Sequence, residues 1–208
     1  KEKFFDVNHL FINNISGHII INSLTDENLT ARIKKFSFNE ENSGFSLNHL
    51  SLTLNNNEQK TEVKDFSLRT ENSDISLDIA INRQGKTITG FKAVSHHSSI
   101  GSRDLSFFLP NLPAENKSIF IDAEVRGDNR SCLCKELTIR SAAKDFLLSM
   151  QGQSDSDINT LLKSPLEQDW KVKVNRLNAK GEFLGILSKT LNARGIMLQN
   201  FGDINYTA

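Results

Sequence analysis

Four stretches of the 208-residue sequence carry residue types that could do chemistry. Gly85-Lys86-Thr87 matches the close of a phosphate-binding loop, whose backbone N–H groups cradle phosphates. That loop needs a glycine five residues before Gly85, where Ala80 stands, and a helix afterwards, where Ile88 and Phe91 continue a strand pattern. The three residues read instead as a hairpin turn. Asp155, Asp157 and Asn159 open like a calcium-binding loop, but Thr160 replaces its glycine and Leu166 its bidentate glutamate, so the oxygen shell cannot close. Ser156-Asp157 reads better as the cap of a short helix that runs to Lys163 and stops before Pro165. His96-His97 precedes Ser98-Ser99, a base beside a nucleophile. Neighbouring strand residues face opposite ways and no motif places an acid to orient either ring, so the pair reads as exposed loop histidines. Cys132 and Cys134 would share one strand face, a poor geometry for a disulfide, and read as two small, semi-buried residues. Asn-x-Ser/Thr sequons at Asn14, Asn28, Asn116, Asn129 and Asn205 are the background of an asparagine-rich chain. No catalytic set, metal-ligand spacing or cofactor fingerprint emerges. The expectation is a protein that is not an enzyme and holds no metal or cofactor.

The elements around these residues have a period of two. Ile75, Leu77, Ile79 and Ile81 alternate with Ser76, Asp78 and Ala80. Leu50, Leu52 and Leu54 alternate with Ser51 and Thr53. Ile119, Ile121, Ala123 and Val125 alternate with Phe120, Asp122 and Glu124, and Val172 and Val174 with Lys171 and Lys173. Such alternation marks strands with one wet and one dry face. Asn42-Ser43-Gly44, Asn55-Asn56-Asn57, Asn82-Arg83-Gln84-Gly85 and Gly127-Asp128-Asn129 read as the turns between them. Connections this short imply antiparallel neighbours. A second helix is expected within Glu182 to Leu191, from the spacing of Phe183, Ile186, Leu187 and Leu191.

A weak repeat underlies the strands: a polar residue, Leu or Phe, any residue, then Ile, Leu or Phe. It occurs as His9-Leu10-Phe11-Ile12, Lys35-Phe36-Ser37-Phe38, His49-Leu50-Ser51-Leu52 and Asp65-Phe66-Ser67-Leu68. It recurs as Asp104-Leu105-Ser106-Phe107 and Glu136-Leu137-Thr138-Ile139. Its spacing varies, so it is not a strict solenoid period. It reads as similar strands added along one axis.

Composition narrows the partners. The 25 Lys+Arg balance 25 Asp+Glu, so the basic excess that nucleic acid demands is missing. Apolar runs are as short as Ile19-Ile20-Ile21, far below the roughly 20 residues of a spanning helix. The sequence begins at Lys1 rather than Met and reads as one segment, 1–208, of a longer protein. Membrane anchoring would then fall to segments outside it.

A dry face must be covered. Closure into a membrane barrel calls for girdles rich in Tyr and Trp, and the chain has one of each beside 14 Phe. A β-sandwich, as in an adhesion or protein-binding module of a cell surface, is the alternative reading. A curved trough explains the phenylalanines best, because Phe lines an apolar surface without a polar tip that needs a partner. The clearest alternations nominate Phe36, Phe38, Leu50, Leu52, Leu54, Phe66, Leu68, Ile75, Leu77, Ile79 and Ile81 as its lining.

The stretch from Phe36-Ser37-Phe38 through Asn42-Ser43-Gly44-Phe45, then Leu47, Leu50, Leu52 and Leu54, resembles the TamB-type members of the AsmA-like superfamily, especially their Bacteroidetes forms. So do Asp65-Phe66-Ser67-Leu68-Arg69-Thr70 and Ser73-Asp74-Ile75-Ser76-Leu77. Asp104-Leu105-Ser106-Phe107-Phe108-Leu109-Pro110 is similar to the family's aspartate-leucine-aromatic-proline segment, and Ile119–Gly127 and Leu137-Thr138-Ile139 follow in the family's order. The resemblance runs from about Phe4 to Leu187; the segment after Leu187 departs from the pattern. It implies a β-taco, an elongated, curved, mostly antiparallel half-pipe with an apolar concave face and at most one or two short helices. It also implies a periplasmic protein of a Gram-negative bacterium, anchored in the inner membrane. Its partners would be phospholipid acyl chains and, through other parts of the protein, the outer-membrane assembly machinery.

Overall fold

The computed structural model describes residues 10–25, 27–108, 117–164, 168–180 and 204–207. Among these residues, eleven strands form one antiparallel sheet in strict chain order. They are β1 Ile12–Leu24, β2 Asn28–Glu40, β3 Ser46–Asn57, β4 Lys60–Arg69, β5 Asp74–Gln84 and β6 Thr87–Gly101. After helix α1, Ser102–Phe108, come β7 Ser118–Asp128, β8 Cys132–Ser141 and β9 Phe146–Ser154. Helix α2, Ile158–Lys163, then leads to β10 Lys171–Ala179 and β11 Ile204–Thr207. The sheet is curved and open: β1 pairs with β2 alone and β11 with β10 alone. Among the described residues there is thus neither a closed barrel nor the second sheet that a sandwich requires.

The turns follow from local chemistry. Gln84 pairs with Thr87 across Gly85-Lys86, and Gly85 has φ +60°, so the supposed phosphate loop is a two-residue hairpin. The expected turn at Asn55–Asn57 lies two residues later. β3 runs on to Asn57, whose side-chain Oδ1 accepts from the N–H groups of Gln59 and Lys60 at 3.0 and 2.8 Å. Asp128 does the same for Arg130 and Ser131 after β7. α2 starts where its cap was expected: Asp157 accepts from the N–H groups of Asn159 and Thr160. The Asp104-Leu105-Ser106-Phe107 repeat is not a strand but part of α1. Asp104 there accepts from Thr70, Ser73 and Asn72 in the β4–β5 turn, contacts that fix the helix on the sheet end. The helix expected within Glu182 to Leu191 lies outside the described residues.

One irregularity recurs on every second strand. Lys34-Lys35 of β2 stand opposite Ser51 alone, and Lys64-Asp65 of β4 opposite Asp78. His96-His97 of β6 oppose Asp122, and Lys135-Glu136 of β8 oppose Gln151. In β10 the extra residue falls between Val174 and Arg176. Each is a β-bulge, which bends its strand and raises the local twist. Successive bulges keep within two residues of one row, so their bends add across the sheet. Asp65 and His97 take φ of +52° and +48°, and each donates its backbone N–H to the aspartate opposite, Asp78 at 3.0 Å and Asp122 at 2.7 Å. The histidine pair is therefore not in a loop, as the sequence reading had it, but in β6 at a bulge. An acid does meet each ring: His97 Nδ1 lies 2.6 Å from Asp122, and His96 Nε2 3.9 Å from Asp78.

The β2–β3 turn is organised by one carboxylate. Glu40, 2% exposed, accepts from the backbone N–H groups of Phe11, Asn42 and Ser43 and from the Ser43 hydroxyl. The Ser43 hydroxyl and amide foremost hold its pKa down to about 2, from an ordinary 4.5. A depressed carboxylate stabilises the fold fully above its unfolded pKa, and that contribution is lost as pH falls through the folded value. The urea midpoint is therefore expected to drop between about pH 4.5 and pH 2, and to drop less steeply in Glu40→Gln. Parallel pH profiles for the two proteins would rule out this role for Glu40.

Candidate apolar binding face

Register carries one side-chain face across all eleven strands. Ile19 of β1 pairs with Ile33, Ile33 with Leu52, and Phe36 with Leu50. Leu50 meets Leu68, Leu68 meets Ile75, Phe66 meets Leu77 and Val63 meets Ile79. Ile81 faces Phe91 and Ile79 faces Ala93. Beyond β6 the same face continues through Val125 and Cys134, Ile121 and Ile139, then Leu148 and Leu177, to Tyr206. Paired residues share a face, so these form one apolar surface. All of the expected lining residues, Phe36, Phe38, Leu50, Leu52, Leu54, Phe66, Leu68, Ile75, Leu77, Ile79 and Ile81, lie on it.

These lining residues are half-buried, not buried. Fully buried apolar residues are sparse among those described: Leu47, Cys132, Cys134, Ile158, Leu161 and Ala179. Leu47 sits opposite Phe38, whose ring lies 6.1 Å from those of Phe36 and Phe45. A packed core would put most large apolar side chains out of water. Here the surface is sheltered by its neighbours' side chains and by the curve of the sheet, and among the described residues it is not filled from above.

One end of the face is covered. Ile158 of α2, 0% exposed, and Leu161, 8% exposed, are buried, as is Ser154 just before the helix, which pairs with buried Cys132. Asn159 fixes the helix to the far strand: its side chain donates to the Ile88 carbonyl at 3.0 Å and accepts the Ile88 N–H at 3.3 Å. The supposed calcium loop thus serves as a latch from the β9–β10 connection to β6. The two cysteines are free and share this face, and burial pushes both thiols up in pKa. They are more buried than the sequence suggested.

The opposite face is polar and laced with charge. Glu124 lies 3.0 Å from Lys135 and 4.0 Å from Lys92, and the Lys135 hydrogen bond foremost holds its carboxyl below the usual range. Phe120 departs from the idea that phenylalanines line only the trough. It lies on this side, with the Arg140 guanidinium 4.5 Å above its ring.

Sequence reasoning missed part of the lining. Ile33, Val63 and Phe91 belong to it, but each lies beyond a step that breaks the period of two. The signal was present in the repeat. Lys35-Phe36, Asp65-Phe66 and Glu136-Leu137 each mark the point where a strand resumes after its bulge. A template that allows one three-residue step per strand would have joined the halves. No family model matches the chain, and no curated protein or solved structure matches it. Among the described residues, no helix is long and apolar enough to cross a membrane and no group of His, Cys, Asp and Glu could hold a metal ion.

Proposed function

We propose that this chain is a segment of a periplasmic bridge that carries phospholipid acyl chains between the inner and outer membranes, along the apolar face of its sheet. The observation that supports this most is that face itself, continuous from β1 to β11, half-buried at the lining residues of β2 to β5 and exposed at Ile19 and Tyr206 on the two edge strands. The resemblance of the strand motifs to TamB-type proteins points the same way, and with it a role in outer-membrane biogenesis and protein assembly. Each acyl CH₂ withdrawn from water gains about 0.8 kcal/mol, so a free chain faces a prohibitive barrier in an aqueous gap. A row of similar, weak apolar sites lowers that barrier evenly and leaves no deep trap along the way. Headgroups remain at the wet rim, where the strands end.

A photoreactive residue at Leu52 or Leu77 is expected to crosslink co-purified or added phospholipid. The same residue at Asp78, which lies on the polar face, is expected to give several-fold less. Equal labelling at the three positions would sink the proposal. A protein-binding module, the alternative suggested by sequence, predicts crosslinks to polypeptide and none to lipid at Leu77.

A further inference from the structure

The apolar face ends, over β3 to β5, in a polar row with a cation in it. Down β3 the face reads Leu50, Leu52, Leu54 and then Asn56; down β5 it reads Ile75, Leu77, Ile79, Ile81 and then Arg83. Thr61 of β4 joins Asn56 to Ile81 in register. The Arg83 guanidinium reaches back across β4 on this same side, donating to Asn56 Oδ1 at 2.7 Å and to the Thr61 hydroxyl. Both partners are neutral. Its Nε is buried with no hydrogen-bond partner, and no carboxylate pairs with it among the described residues. Lys60 nearby is already engaged with Glu62 at 2.7 Å. A partly desolvated, uncompensated guanidinium is unfavourable by itself and has donors left for an anion. It also lines a cleft of about 1140 Å³ formed where the turns gather at this end of the sheet.

We propose that Arg83 binds the phosphate of a phospholipid headgroup whose acyl chains lie on the adjoining apolar face. The inference rests on the lipid-carrying reading above. The guanidinium fork matches a phosphate, and the apolar columns start one step from it, so one molecule fits both parts. Glu27 and Glu58 line the same cleft and are exposed. With Lys60 and Arg83 they make it neutral, so the headgroup that fits is zwitterionic, its ammonium toward those carboxylates.

The test uses vesicles that contain phosphatidylethanolamine and diacylglycerol of the same acyl chains. The protein is re-isolated and its bound lipid counted by mass spectrometry. Wild type is expected to retain the phospholipid about tenfold over diacylglycerol, the worth of a hydrogen bond to a charged group. Arg83→Gln is expected to lose that preference by releasing phospholipid alone, and Arg83→Lys to recover part of it. Unchanged phospholipid retention in Arg83→Gln overturns the inference while the trough stands. Retention of neither lipid by wild type overturns the trough and the inference together. Displacement of all phospholipid preference by excess inorganic phosphate, with diacylglycerol bound as before, assigns the site to free phosphate and overturns the headgroup. Preference for phosphatidylglycerol over phosphatidylethanolamine overturns the zwitterionic fit.

Discussion

Deletion of Asp78 is expected to destabilise the protein severely, whereas deletion of Asp65, which stands opposite it, is expected to be nearly neutral. β5 has no spare residue against β4: Leu77 and Ile79 flank Asp78 and face Phe66 and Val63. Removal of Asp78 turns one half of the strand over, because side chains alternate at every residue. Either Ile75 and Leu77 or Ile79 and Ile81 then point to the polar face. These side chains are half-buried, so the loss of a pair amounts to about 3 kcal/mol, at the low end for aliphatic burial. That is a large share of the roughly 5–15 kcal/mol that hold a domain of this kind together. β4 does have a spare residue. Without Asp65, Lys64 alone faces Asp78, while Val63 and Phe66 keep Ile79 and Leu77. The 3.0 Å hydrogen bond to Asp78 is lost, but so is a non-glycine residue at φ +52°, a conformation unfavourable by about 1–2 kcal/mol. Urea unfolding of the two deletions decides the matter, with Asp78→Asn as the control for lost side-chain contacts. Equal destabilisation would mean that the bulge is not a separable insert in the strand.

The second large effect is expected at α2. Ile158→Ala removes a large side chain of that helix that is wholly out of water. Truncation of a buried Ile typically lowers stability by about 2–5 kcal/mol. The helix is a single short stretch, and among the described residues its other ties include buried Leu161, the Asp157 cap and the Asn159 latch, so it has little with which to compensate. Cys132, 1% exposed, and Cys134, 8% exposed, are buried in β8, where Cys132 pairs with Ser154 at the end of β9 from which the chain enters α2, and burial raises both thiol pKa values. The expected result is thus twofold: a lower urea midpoint, and thiol labelling under native conditions at least tenfold faster than in wild type, the ratio set by a shift of about 1.4 kcal/mol or more in the opening equilibrium. Labelling that stays at the wild-type rate would show that α2 does not guard the cysteines.

Much of this fold could be read directly from residues. Ile75 to Ile81 announced β5 and its dry side because no bulge interrupts them. The lining residues could be named for the same reason, since alternation reports a face even when the partner strand is unknown. What stayed hidden was continuity. β4 contains Val63 and Phe66 on one face at a separation that alternation forbids, so its first half went unseen and its second half looked like a fresh motif. The His96-His97 pair was misjudged for the same cause: consecutive polar residues resemble a loop unless the strand is known to continue beyond them. Arg83 was taken as part of a turn. Its place at the end of an apolar column depends on the two-residue hairpin after Gln84, a tertiary fact that the dipeptide Gly85-Lys86 only hints at. α1 was read as a strand because Leu105 and Phe107 fit either period over so short a span.

Because each strand of the meander touches chiefly the strands before and after it in the chain, the sheet behaves as a ruler with a fixed graduation. One strand adds about 4.8 Å, and one hairpin of a bulged and an unbulged strand adds about 10 Å while returning the chain to the end from which it left. A gene could therefore lengthen such a protein by duplicating a hairpin, β4 with β5 for instance, without asking any residue to meet a neighbour of a new kind. Assembly would keep pace, since every added pair closes only a short local loop and can zip onto its predecessor as it emerges from the ribosome.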